Sequence, residues 1–278
     1  MNESARYTWG TFVLELLALA AALAFLVPFY FLLSNSVKTF ADILLNAAAL
    51  PETLQWNNFG RAWNIMNYPK AFVNSVLITV SSIAGLVVIS SMAAYRMVRR
   101  PTVYNSVLFM LFVAAMVIPF QSIMIPLVRV ANWLDLINSL PGLWFCYLGF
   151  GSSLTIFLYH GFIKSIPVEI EESAVVDGAT PYGVFWRIVF PLLKPMTVTI
   201  IILNSLWIWN DFLLPQLMLG RPELRTIPLS TFSFFGQYTK QWDLALAALV
   251  MGVTPIVIFF LTLQRHIIAG ITAGSVKG

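Results

Sequence analysis

The stretch "AFVNSVLITVSSIAGLVVISSMAAY", residues 71–95, indicates the fold class of this chain, because it contains no charged residue. A helix needs about 20 apolar residues to cross the hydrocarbon core of a bilayer. This stretch is long enough, and five further apolar runs also reach that length. The predicted spans lie at about residues 11–34, 71–95, 105–128, 140–162, 196–219 and 243–264.

The overall composition supports the same class. Hydrophobic residues make up 59% of the chain and charged residues only 10%, with a mean hydropathy of +0.83. A soluble domain carries about 25% charged residues. The net charge of +4 is small and its basic residues are scattered, which argues against a nucleic-acid-binding surface. We therefore predict an all-α, polytopic membrane protein that forms a single membrane domain over residues 1–278.

The sequence offers little for metal binding or catalysis. Cys146 is the single cysteine, and the two histidines, His160 and His266, lie far apart in the sequence. The phosphate-binding pattern GxxxxGK[ST] and the catalytic patterns HExxH and GxSxG do not occur. We predict no metal site, no catalytic residue and no enzymatic activity in this chain, and we expect both histidines to be packing or interfacial residues.

The distribution of arginine predicts the orientation in the membrane. The segment 96–104 carries three arginines and no acidic residue, and short loops of that kind face the cytoplasm. Counting spans from there places both termini and the loop 163–195 in the cytoplasm. The loops 35–70 and 220–242 are then extracytoplasmic, and we expect short interfacial helices in the first of them. The run at 11–34 exceeds a signal-peptide core and is interpreted as a retained span.

Small residues and prolines inside the spans predict close contacts and kinks. Ser81 and Gly85 form a pair of small residues four positions apart, which favours close approach of another helix. Pro119 and Pro126 predict kinks in the third span, because each proline frees a backbone carbonyl from the helix.

Polar residues cluster in the fifth span, "ILNSLWIWNDFLLPQL" at residues 202–217. Asn204, Trp207 and Asp211 fall on one helical stripe, with Asn210 beside it. One interpretation is that Asn210 and Asp211 cap helix ends or bond to neighbouring helices at the outer interface. The other is a path for a sugar, whose C–H face stacks on an aromatic ring while planar polar groups bond its hydroxyls. The sequence leaves both interpretations open.

An acidic segment, "EIEESAVVDGATPYGVFWRIVFP" at residues 169–191, interrupts the apolar chain. Its glutamates lie at the positive end of a predicted short helix, which Gly178 ends in the left-handed conformation. Thr180 and Pro181 then begin a second helix that runs to about Phe190. Small residues and exposed carboxylates on such a helix–turn–helix favour docking to an arginine of a soluble partner.

This segment resembles the EAA motif of permease subunits of ABC importers, EAA-x3-G-x9-I-x-L-P. Glu172, Gly178 and Ile188 stand at the motif positions, while Ser173 replaces the first alanine and Phe190 replaces the leucine. Further similarity to the maltose-type branch, and within it to the shorter six-span partner, is carried by residues 74–99, 209–215 and 264–278.

The resemblance implies a set of partners. In this family two permease subunits form the pore, two cytoplasmic ATPase subunits bind ATP and Mg, and an extracytoplasmic protein delivers the sugar. The chain itself is then expected to bind no cofactor. The core of the permease would be residues 71–264, with a cytoplasmic tail at 265–278 that reaches toward the ATPases. The extracytoplasmic loops would meet the binding protein, and the location would be the cell (inner) membrane.

The resemblance also implies a role for individual residues of the loop 163–195. Glu172 is expected to meet an ATPase arginine, Ser173 and Ala174 to allow close packing, and Gly178 to form the turn. The full set of expected ATPase-coupling residues is Glu171, Glu172, Ser173, Ala174, Asp177 and Gly178.

Three alternatives remain at this point. The chain could belong to an ABC permease for another solute, or to a secondary transporter driven by an ion gradient. It could also act mainly as a scaffold, with the sugar held by its permease partner. These alternatives differ in the solute, in the energy source and in the role of the polar residues of the fifth span.

Overall fold

The structure, a computed structural model, describes residues 8–236 and 241–275, with side chains as far as residue 262. Helices dominate the described residues, which confirms the predicted class. They are α1 (Trp9–Ser36), α2 (Phe40–Leu45), α3 (Asn57–Ile65), α4 (Tyr68–Arg99), α5 (Val103–Ala115), α6 (Phe120–Trp133), α7 (Leu140–Ile163), α8 (Glu169–Val176), α9 (Pro181–Val184), α10 (Phe190–Leu192), α11 (Lys194–Asn210), α12 (Leu213–Met218), α13 (Ile227–Thr231) and α14 (Trp242–Ser275).

Four of the described helices are long and apolar enough to cross a membrane by themselves: α1, α4, α7 and α14. Two further spans arise only if bent pairs of helices are counted as one span each. In the first pair α5 and α6 meet at 107°, and in the second the residues Pro181–Leu192 meet α11 at 71°. The structure thus gives four to six candidate spans, in keeping with a polytopic membrane protein.

The predicted single span at 105–128 is broken in the structure. Helix α5 ends at Ala115, and α6 begins only at Phe120, after Pro119. Pro119 has an extended backbone (φ −62°, ψ 133°) and precedes the first helical residue of α6. Because proline disfavours helical geometry in the residue before it, the apolar run turns here rather than merely kinking. Pro126, in contrast, lies inside α6 without ending it.

The predicted fifth span at 196–219 ends early. Helix α11 stops at Asn210, because Asp211 is extended with φ −70° and ψ 127°. The Asp211 carboxylate accepts the backbone N–H of Leu213 at 3.0 Å and thereby begins the short helix α12. The side chain of an aspartate that accepts a backbone N–H two residues later competes with the hydrogen bonds of a continuing helix. Hydropathy alone does not reveal this competition.

The described residues fold into two compact units, and the first comprises residues 8–66 with 231–236 and 241–253. Its loop after α1 is closed around the buried side chain of Lys38. The Lys38 ammonium donates to the backbone carbonyl of Asn46 at 2.9 Å and to that of Ala47 at 3.2 Å. Asn58 in α3 donates to the Lys38 carbonyl at 2.8 Å. The predicted short helices of the 35–70 loop are present as α2 and α3.

The second unit comprises the described residues 67–230 with 254–275, and its core is built on α4, α7 and α11. Helices α4 and α7 approach closely at two glycines. A Cβ on Gly85 would lie 2.7 Å from Leu148 Cδ2, and one on Gly151 would lie 2.6 Å from Leu86 Cδ1. The predicted packing role of Gly85 therefore holds, whereas that of Ser81 does not. Ser81 is exposed and bonds within its own helix.

Candidate functional site

The acidic segment forms the predicted helix–turn–helix. Helix α8 carries its glutamates in the first turn, and Gly178 follows it with φ +86°, the left-handed conformation that glycine tolerates. The Thr180 hydroxyl accepts the backbone N–H of Gly183 at 3.2 Å and caps α9. The second helix differs from the prediction, because it continues through a π-helical turn at Phe185–Val189 and ends at Leu192. Pro191 does not close it, since its missing N–H falls in the first turn of α10.

Helix α8 has an outward and an inward face. Of the six predicted coupling residues, Glu172, Ser173, Asp177 and Gly178 are exposed, whereas Glu171 and Ala174 are buried. Ala174 packs in the chain's own hydrophobic core. The outward face also carries Val176, which is 86% exposed and lies one helical turn after Glu172. The outward face of α8 thus offers carboxylates and an apolar side chain together. The sequence analysis missed Val176, although its spacing from Glu172 indicates the shared face.

Glu171 is bound by residues of α4. The Arg99 guanidinium donates through Nε to Glu171 Oε1 at 2.7 Å, and the Tyr95 hydroxyl donates to Glu171 Oε2 at 2.8 Å. Arg99 also donates through Nη2 to the carbonyl of Ile166 at 2.9 Å. Sequence analysis used Arg99 only for orientation and assigned it to a loop, but it lies in the last turn of α4.

The predicted substrate-path residues do not form one cluster. Asn204 is buried and donates its amide to the carbonyl of Ile200 at 2.9 Å, within its own helix. Asn210 is exposed and donates to the carbonyl of Leu206 at 2.7 Å. Both asparagines thus hydrogen-bond to the backbone of α11, one turn earlier in each case.

Trp207 and Asp211, in contrast, are brought together by Tyr147 of α7. The Tyr147 hydroxyl donates to Asp211 Oδ2 at 3.0 Å. The Tyr147 and Trp207 rings meet edge to face, with centroids 5.5 Å apart. Asp211 therefore has the capping and helix-bonding contacts that one interpretation of the sequence predicted. It is only partly buried, however, and its carboxylate remains available to a cavity.

A cavity of about 310 Å³ opens beside Trp207 and Asp211. Its lining residues are Phe120, Gln121, Phe150, Trp207, Asp211, Leu213 and Leu214. Three aromatic rings surround a planar amide and a carboxylate, the combination that suits a ligand with hydroxyls and an apolar face. Gln121 was not among the predicted path residues, because it lies on α6 and not on the predicted fifth span.

The remaining candidate ligands of a metal are dispersed. No group of three His, Cys, Asp or Glu side chains that could hold a metal ion occurs among the residues that the structure describes. His160 stacks on Phe109 with ring centroids 3.7 Å apart, and Cys146 is buried as a free thiol. The side chain of His266 and those of the predicted tail 265–278 lie outside the described residues.

Long apolar helices and an exposed, EAA-like helix–turn–helix are together the features of a membrane permease subunit. The chain belongs to the family of binding-protein-dependent transport system inner membrane components, whose profile matches residues 85–273. It is thus a multi-pass membrane transport subunit and not an enzyme.

Several named relatives are similar over nearly the whole chain. One is named "Probable starch degradation products transport system permease protein AmyC", from Thermoanaerobacterium thermosulfurigenes; it is 42% identical, covering 96% of this chain and 97% of its own. The melibiose/raffinose/stachyose import permease protein MelC of Bacillus subtilis is 37% identical, covering 96% of each chain. The multiple sugar-binding transport system permease protein MsmG of Streptococcus mutans is 35% identical, covering 99% of each.

Solved structures show the same fold. A chain of a bacterial ABC transporter that imports the acidic polysaccharide alginate superposes with a TM-score of 0.77 at 20% identity, covering 94% of this chain and 99% of its own. A second structure, of an alginate ABC transporter in complex with a pentasaccharide-bound periplasmic protein, gives a TM-score of 0.67 at 16% identity, covering 91% of this chain and 93% of its own.

Proposed function

We propose that this chain is the shorter permease subunit of an ATP-driven ABC importer for a sugar or oligosaccharide. The observation that carries the proposal is full-length similarity to permeases named for sugars, at 42% and 37% identity. The EAA-like segment supports ATP as the energy source. It offers an exposed face on which an ATPase can dock, and a transporter driven by an ion gradient needs no such face. The proposed transporter lies in the cell (inner) membrane with both termini of this chain in the cytoplasm.

The proposed assembly contains a second permease, two ATPase subunits and an extracytoplasmic sugar-binding protein. ATP and Mg bind to the ATPases and not to this chain. The binding protein docks on the loops 35–70 and 220–242, of which residues 237–240 lie outside the described part. The tail 265–278 reaches toward the ATPases; its side chains likewise lie outside that part.

The outward face of α8 is the proposed point of coupling. Glu172 offers a carboxylate to an ATPase arginine, while Ser173 and Val176 pack in the surrounding groove. ATP binding draws the two ATPases together, and α8 moves with them. The permease helices then alternate between outward and inward access, because ATP bound to the docked ATPases favours one conformation of the permease over the other. Asp177 and Gly178 form the turn that holds α8 in this position.

The proposed sugar path passes the cavity beside Trp207. A pyranose ring can stack on Trp207, Phe120 or Phe150, while Gln121 and Asp211 bond its hydroxyls. Asn204 and Asn210 flank Trp207 on α11 and remain predicted members of the path. The competing hypothesis, a scaffold whose permease partner holds the sugar, is favoured by the internal hydrogen bonds of both asparagines.

The coupling role is tested with Glu172→Lys. Reversing the charge should weaken ATPase docking by about 2–5 kcal/mol, as expected when one partner of a buried charge pair is lost. The variant should reach the membrane normally, but the amount of ATPase that copurifies with it and its ATP-driven uptake should both fall. The control is Glu169→Lys, an equal charge change on the same helix outside the motif. Normal ATPase copurification and normal uptake by Glu172→Lys would refute the assignment.

A further inference from the structure

Helix α4 is anchored by polar contacts at both of its ends. At one end Arg99 and Tyr95 bind Glu171 of α8, and at the other Asn74 and Ser75 bind the loop 221–227, which runs into the first residue of α13. We propose that α4 transmits movement between α8 and the loop 221–227, and that these two anchors carry the movement. This inference rests on the proposed function, in which α8 faces the ATPase and the loop faces the binding protein.

The first anchor is a nearly buried ion pair. The side chains of Arg99 and Glu171 are 15% and 9% exposed, and their closest atoms are 2.7 Å apart. Glu171 receives hydrogen bonds on both carboxylate oxygens, and Arg99 binds the Ile166 carbonyl just before α8 as well. Separating these groups would leave a buried charge without a partner. Helix α8 therefore cannot move far from α4 without taking α4 with it.

The second anchor uses a buried amide and a buried hydroxyl. Asn74 is 1% exposed, and its side chain donates to the carbonyls of Glu223 at 2.9 Å and Arg225 at 3.0 Å. Ser75 accepts the backbone N–H of Ile227 at 2.9 Å. Three hydrogen bonds thus hold the loop backbone to the beginning of α4, and none of them involves a side chain of the loop.

The helix between the anchors is continuous. Helix α4 runs from Tyr68 to Arg99 without a break, which corresponds to a length of about 48 Å for its 32 residues. Its middle packs closely against α7, where Gly85 lies against Leu148 and Gly151 lies against Leu86. A rigid helix tied at both ends lets a ligand at either end bias the same conformational equilibrium, which is the physical requirement for coupling between distant sites.

The test breaks each anchor separately in the assembled transporter. The variants are Arg99→Gln and Asn74→Leu, with Arg96→Gln as the control, because Arg96 is an exposed arginine one turn earlier on α4. The complex is purified through a tag on this chain and reconstituted in liposomes. MgATP hydrolysis is then measured with and without the binding protein, together with the amount of bound ATPase.

The proposal predicts that both anchor variants keep the bound ATPase and its basal hydrolysis. Stimulation of hydrolysis by the binding protein should fall by about tenfold, within the range of coupling factors known for linked sites. The double variant Arg99→Glu with Glu171→Arg should recover part of the stimulation, and Arg96→Gln should behave as the wild type. If the anchors only stabilised the fold, the variants would lose basal hydrolysis together with its stimulation by the binding protein.

Three outcomes would overturn the proposal. The first is that the binding protein stimulates ATP hydrolysis in both anchor variants as strongly as in the wild type. The second is that the Arg99→Gln complex loses its ATPase. The third applies if Arg99→Gln fails to accumulate, and it is full stimulation of ATP hydrolysis in Tyr95→Phe. Tyr95→Phe removes a single hydrogen bond to Glu171 and therefore serves as the milder test. A wild-type complex that binds no ATPase would instead refute the proposed function, so the two failures are distinguishable.

Discussion

At the scale of single residues, Asp211 shows how an acid is accommodated near the end of a membrane helix. Its carboxylate accepts the Tyr147 hydroxyl at 3.0 Å and the backbone N–H of Leu213 at 3.0 Å. These bonds offset part of the cost of removing a charged group from water. They also fix the carboxylate beside Trp207, at the wall of the cavity. Asp211 therefore has a structural role that leaves room for a contact with a sugar.

The sugar path is tested with Trp207→Ala. Loss of the stacking surface should weaken the apparent affinity for transported sugar by about 0.5–1.5 kcal/mol, or roughly twofold to thirteenfold. Concentration dependence of uptake provides the measurement, with ATPase binding as the check on assembly. The control is Trp133→Ala, because Trp133 is 80% exposed and does not line the cavity. An unchanged affinity in Trp207→Ala would favour the scaffold hypothesis.

The sequence predicted some side-chain positions and not others. The helix around Glu172 and the turn at Gly178 follow from local backbone preferences, and the structure confirms both. The burial of Glu171 does not follow from them, because α8 carries several glutamates in one turn. Which of these faces the protein depends on where α4 lies, and that is set by tertiary packing. The position of Gln121 beside the cavity also depends on tertiary packing, so it was not predicted.

At the scale of elements, the close approach of α4 and α7 depends on glycine. A Cβ at Gly151 would lie 2.6 Å from Leu86 Cδ1 and 3.3 Å from the Trp207 ring, so a larger residue requires at least the Leu86 side chain to shift within the packed core. At Gly149, two positions earlier on the same helix, no atom lies within 4 Å of the added Cβ. The contact between the helices is therefore specific to one face of α7.

This difference predicts opposite results for two alanine variants. Gly151→Ala should lower the free energy of unfolding by about 1–3 kcal/mol, the usual cost of overpacking a core. Gly149→Ala should leave it unchanged or raise it slightly, because alanine favours the helix. Thermal unfolding in detergent, followed by tryptophan fluorescence, measures both. Equal melting temperatures for the two variants would contradict the proposed packing.

Hydropathy located the elements but not their ends. Hydropathy predicts one span each at 105–128 and 196–219, yet the helices stop at Ala115 and Asn210. The cause in the first case is the conformational restriction before Pro119, and in the second the backbone bonds of Asp211. Both causes are properties of single residues, and hydropathy averaged over a window of about 20 residues does not reveal them.

At the scale of the whole molecule, the long apolar helix α1 illustrates how the membrane replaces a protein core. Within α1 the buried residues are Ser34, Asn35 and Ser36 at its end, Leu32 is half-buried, and the rest of the helix is exposed. In water such a surface would be unstable, but a helix satisfies its own backbone and can face lipid or another permease. Local sequence is therefore sufficient to predict a span, whereas the identity of its neighbours depends on assembly.

The central claim is that this chain conducts sugar in a transporter driven by ATP. The most direct measurement uses the complex in liposomes supplied with the binding protein and with labelled starch-derived oligosaccharides and raffinose. We predict that uptake of at least one of these sugars requires MgATP and the binding protein, and that it persists when ionophores collapse all ion gradients. Uptake that follows an ion gradient without ATP, or ATP-driven uptake restricted to solutes other than sugars, would contradict the claim.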